Sequence, residues 1–81
     1  MRIDKFLKIS RLIKRRSIAN NACDTDKISV NGRPVKASYQ VKVSDIIEIK
    51  WGSSLLKAQV IDIKEHVRAN EAELMYKIIE N

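Results

Sequence analysis

The hydrophobic period changes near residue 28. Before that point Ile3, Phe6 and Leu7 recur at helical spacing; after it apolar residues alternate, as in Ile28 and Val30 and again from Leu56 to Ile63. A helix buries one residue in three or four, and a half-buried strand one in two. A chain that does both in succession folds as α+β. The expected architecture is a two-helix unit packed on a small, mostly antiparallel sheet, closed by a C-terminal helix. With 81 residues the chain is read as one domain, 1–81, with a modest core.

The segment "IDKFLKI" reads as a short amphipathic helix, with Asp4 in its first turn, where a carboxylate suits the helix dipole. Leu12 and Ile13 are expected to anchor the following join in the core. Ser17 is placed to cap a second helix, "IANNACDTDK", whose Ala19, Ala22 and Cys23 allow close packing. Asn31-Gly32 is the signal of a tight hairpin turn, and Pro34 confines the strand after it to an edge. A turn at Ser44-Asp45 leads into a strand over Ile46–Trp51, and "GSS" leads into a long alternating strand over 55–64. Over 68–81 the spacing predicts a helix, with Asn70 and Glu73 as a capping box and Leu74, Met75, Ile78 and Ile79 as its apolar stripe.

The charge is uneven. Residues 1–16 hold Arg2, Lys5, Lys8, Arg11, Lys14, Arg15 and Arg16 against Asp4 alone, which accounts for the whole net charge of +6. A solvated helix face would balance its cations with anions one turn away, and this one does not. A localisation tag would sit on a floppy tail, whereas this segment is threaded by Leu12 and Ile13. The remaining reading is a surface for a polyanion, with cations gathered beside a helix N-terminus. Asp4 either serves as a helix-dipole or ion-pair partner or holds one of the arginines in a fixed pose. No long recognition helix suited to a DNA major groove is expected. RNA, read through shape, phosphate and 2′-OH contacts, suits a compact basic face. Aromatic residues make up only 5%, so base stacking is not the main binding device.

Other chemistry has little to work with. One His and one Cys make no metal-ligand pattern, and Cys23 reads as a buried thiol and His66 as a surface imidazole. No cofactor and no catalytic centre are expected. No apolar run approaches the ~20 residues of a membrane span, no signal peptide is read, and a cytoplasmic monomer is expected.

Four blocks in order, "RIDKFLKISRLIKRRSIANNAC", "ISVNGRPVKAS" and "V..SDIIEI" with the basic join between helices, resemble the S-four RNA-binding domain, whose two-helix unit and hairpin form the alpha-L motif. The resemblance covers residues 1–50 and leaves 51–81 as the long strand and C-terminal helix. It implies RNA contacts at Arg2, Asp4, Lys5, Lys8, Arg11, Lys14, Arg15, Arg16 and Lys36. The whole chain is similar to small stand-alone members, the heat-shock protein fifteen family and, nearer, the RqcP family of bacterial ribosome quality control. That likeness implies a non-catalytic factor on large ribosomal subunits obstructed by peptidyl-tRNA. It would contact 23S rRNA and P-site tRNA and support C-terminal alanine tailing with the RqcH elongation factor. The alternative it leaves is a heat-shock or ribosome-assembly factor that binds rRNA. Asp26 and Ser44 stand where the family usually has glycine: Asp26 tolerates a left-handed cap, while Ser44 is expected to need a different turn.

Overall fold

Asn31 and Gly32 both take positive φ, 52° and 86°, as a two-residue hairpin turn requires. They join β1 (Ile28–Val30) to β2 (Arg33–Pro34), and Pro34 does lie on an edge strand. The computed structural model describes residues 1–80. The chain begins with α1 (Ile3–Ile9) and α2 (Arg16–Asp24); after the hairpin come β3 (Ile46–Trp51), β4 (Ser54–Val60), a 3₁₀ helix (Ala69–Met75) and β5 (Tyr76–Ile78). The sheet order is β2-β1-β3-β4-β5, with every pairing antiparallel. The fold is α+β, with the helical pair packed on one face of this sheet.

The core joins both halves. Ile3, Phe6 and Leu7 of α1 and Ala19, Ala22 and Cys23 of α2 pack with Ile28, Val30, Ile47, Ile49 and Val60 of the sheet. The small residues of α2 admit the bulk of Phe6 and its neighbours. Ile13 is buried and Leu12 half-buried against the same cluster, so the join is anchored as expected. Cys23 is a buried free thiol; burial, with the charges of Asp4 and Asp24, pushes its pKa up to about 11.

Both helices end on a left-handed residue. In α2 the N–H of Lys27 donates to the Ala22 carbonyl (2.9 Å) and that of Asp26 to the Cys23 carbonyl (3.2 Å), with Asp26 at φ 59°. This is the Schellman closure, with aspartate at the usual glycine position. In α1 that position belongs to Arg11, at φ 64°. Ser44 also has a positive φ, 79°, so it keeps the left-handed turn and the expectation of a different one is corrected. Its neighbour Asp45 stabilises the corner, accepting from Tyr39 Oη (2.8 Å), Asn31 Nδ2 (3.1 Å) and the Lys42 N–H (3.0 Å).

The second helix starts earlier than Ser17 suggests. Its N-cap is Arg15, no side chain caps it, and Ser17 lies exposed in its first turn. The long strand stops at Val60 instead of running to Lys64. The largest correction is at the C-terminus. The segment expected as a helix over 68–81 is 3₁₀ up to Met75 and then pairs with β4, with Ala58 facing Ile78 and Val60 facing Tyr76. Of the supposed stripe only Met75 is buried, whereas Leu74 is 68% exposed. The bond at the start of the 3₁₀ helix runs from the Arg68 N–H to Glu71 Oε1 (3.4 Å), not between Asn70 and Glu73. Without β5 the β4 edge at Ala58–Val60 would lack a ladder partner. Backbone pairing there overrides the helical propensity of "EAELM".

Candidate RNA-binding surface

The carboxylate of Asp4 organises the basic face. Its side chain is 3% exposed and accepts five hydrogen bonds. Arg2 approaches side-on, Nε to Oδ1 and Nη2 to Oδ2, both at 3.2 Å. Arg16 donates Nη2 to Oδ1 (3.4 Å), Asn20 donates Nδ2 to Oδ2 (3.3 Å), and the Lys5 N–H donates to Oδ1 (2.8 Å). Arg16 and Asn20 reach the same group because they sit one turn apart on α2. Burial pushes the Asp4 pKa up, but the Asn20 hydrogen bond and the Arg16 and Arg2 charges outweigh it, and the net shift is downward. The carboxylate is therefore ionised at neutral pH and pairs with two arginines whose side chains remain 45% and 48% exposed. Asp4 is thus an ion-pair partner, and it pairs with two arginines rather than one.

The same carboxylate also serves the start of α1. A helix leaves its first N–H groups without partners. Here Ile3 donates to the Tyr39 carbonyl (2.8 Å), Asp4 to the Ala37 carbonyl (3.4 Å) and Lys5 to the Asp4 side chain. Residues 37–39 thus seal the N-terminus of α1, and Lys36, exposed, precedes them directly.

Lys8, Arg11, Lys14 and Arg15 are all exposed. Lys8 lies in the last turn of α1, Arg11 and Lys14 on the join and Arg15 at the N-cap of α2, whose first turn has no acidic residue. Lys5 differs: it is half-buried and ion-paired with Glu65, so it is not a free cation on this face. Sequence reasoning missed Asn20, although its spacing from Arg16 was a usable signal. It also missed residues 65–67, which line a groove beside Lys8, Arg11 and Lys14. Nothing local in "EHV" marks that role.

A family model for the S4 domain matches residues 1–47. The chain belongs to the S4 domain family. All nine residues singled out from the sequence lie inside the matched S4 segment, whereas Glu65, His66 and Val67 lie beyond it. Over nearly its full length the chain is similar to proteins named "RQC P-site tRNA stabilizing factor" and belongs with them in one family. The one from Bacillus subtilis is 46% identical over 79 residues, covering 98% of this chain and 92% of the relative. That of Halalkalibacterium halodurans is 45% identical over 78 residues, covering 96% and 89%. Among solved structures, a trimeric Vibrio cholerae heat shock protein 15 superposes with a TM-score of 0.89. It shares 30% sequence identity, with 98% of this chain and 81% of that one covered.

Proposed function

We propose that this S4 domain protein acts in ribosome quality control, binding without catalysis to large ribosomal subunits obstructed by peptidyl-tRNA. The α1–α2 face meets RNA phosphates. Arg2 and Arg16, fixed by Asp4, give oriented contacts; Lys8, Arg11, Lys14, Arg15 and Lys36 add charge around them, and Lys5 supports the face through Glu65. The RNA is P-site tRNA with the adjoining 23S rRNA. By steadying that tRNA the protein supports alanine tailing by RqcH, which places it in the cytoplasm. The observation that carries this reading is the likeness, over more than nine-tenths of the chain, to factors named for stabilising P-site tRNA.

Prearranged cations lower the conformational cost of binding. Bidentate guanidinium groups also recognise phosphate with a geometry that lysine cannot match. Co-sedimentation with purified large subunits tests the tRNA step: P-site peptidyl-tRNA should increase the bound fraction. Equal binding to empty and tRNA-bearing subunits contradicts it. The second reading, an rRNA-binding heat-shock or assembly factor, has the TM-score of 0.89 to heat shock protein 15 in its favour. Preference for precursor particles over obstructed mature subunits would select it.

A further inference from the structure

A phosphate-tracking face needs only a rim of cations, yet this one has a recess lined in part by apolar side chains. The recess lies where the end of α1 meets residues 65–67 and has a volume of about 470 Å³, within the ~300–1,000 Å³ typical of small-ligand sites. Ile9 and Val67 are in its lining, both half-buried against the core. Lys8, Arg11 and Lys14, all exposed, line it as well. Glu65, also in the lining, is tied to α1 by its ion pair with Lys5, which answers its charge. His66, exposed, is also in the lining.

Side chains of two chemistries in one recess, cationic and apolar, match the two parts of a nucleotide. We propose that this recess receives a single unpaired nucleotide of the bound RNA, its phosphates toward Lys8, Arg11 and Lys14 and its base on Ile9 and Val67 beneath the His66 ring. The inference rests on the RNA-binding reading and adds a subsite to it. It gives the C-terminal part of the chain a share in recognition, since Glu65, His66 and Val67 lie outside the matched S4 segment. It also gives a reason for Arg11, which holds a left-handed φ of 64° that glycine would adopt without strain. An acidic peptide would satisfy the cations but make little use of Ile9 and Val67.

The test uses the full chain, a short single-stranded oligouridylate, and a blunt RNA duplex with the same number of phosphates. Amide resonances of Ile9, His66 and Val67 should move with oligouridylate and not with the duplex. His66→Ala, at an exposed position outside the core, should weaken oligouridylate binding about fivefold to tenfold, the scale of one lost stacking contact, and leave duplex affinity unchanged. Arg16→Ala should weaken both RNAs. The inference is overturned if those amides stay still, or if His66→Ala does not weaken the oligouridylate preferentially; the Arg16→Ala effect would then still uphold RNA binding. If neither RNA binds the wild-type protein, both readings fall. Polyglutamate that binds as tightly as oligouridylate and moves the same amides would assign the recess to acidic peptide instead.

Discussion

Asp4 is the residue on which the charge of the basic face and the stability of the fold meet. Asp4→Asn adds one unit of positive charge, so a purely electrostatic account predicts tighter RNA binding. The structure predicts weaker binding, because Arg2 and Arg16 lose the group that fixes them. The substitution should also cost about 2 kcal/mol of stability, and the affinity is to be measured where the variant is shown folded by circular dichroism. The pH dependence has a definite sign. The Asp4 pKa is lowered from its ordinary 3.8 in the folded state. Its contribution is therefore complete above that ordinary value and is lost as pH falls through the lower folded one. Urea titrations from pH 6 downward should show Asp4→Asn losing less stability on acidification than the wild type. Asn20→Ala should cost about 1 kcal/mol and loosen the same hub. The cluster of cations was legible in the sequence. The choice of partners was not, because it depends on α2 crossing α1 at a particular register.

Local turn chemistry decided which elements were legible. Asn31-Gly32, Pro34 and the span Ile46–Trp51 were readable because few conformations suit those residues. The C-terminal segment was not, because its apolar spacing fits a helix while its fate depends on a strand edge distant in sequence. The α2 start escapes sequence reasoning for a similar reason: Ser17 is a good cap, but tertiary contacts of Arg16 and Asn20 with Asp4 start the helix two residues earlier, with Arg15 as its N-cap. The helix ends offer a controlled comparison. Arg11 and Asp26 both hold left-handed backbone, so Arg11→Gly and Asp26→Gly should each stabilise the fold by about 0.5–1 kcal/mol, read from thermal or chemical unfolding. Only Arg11→Gly should weaken RNA binding. Equal RNA affinity for the two variants would remove Arg11 from the site.

For the molecule as a whole, the helical pair gathers the cations on one side while the outer face of the sheet mixes Glu48 with Lys50, Lys57 and Lys77. The registers Glu48↔Lys57 and Gln59↔Lys77 place these side chains together. Binding through the helical side should therefore be strongly salt-dependent, and Arg16→Ala should reduce the slope of log K against log salt by about one phosphate contact. The measurement that bears most directly on the whole account is a protein–RNA crosslink map on large subunits carrying peptidyl-tRNA. The account predicts crosslinks from Arg2, Lys8, Arg11, Lys14 and Arg16 to P-site tRNA and the neighbouring 23S rRNA. Crosslinks concentrated at Lys50, Lys57 and Lys77, with the α1–α2 face silent, would contradict it.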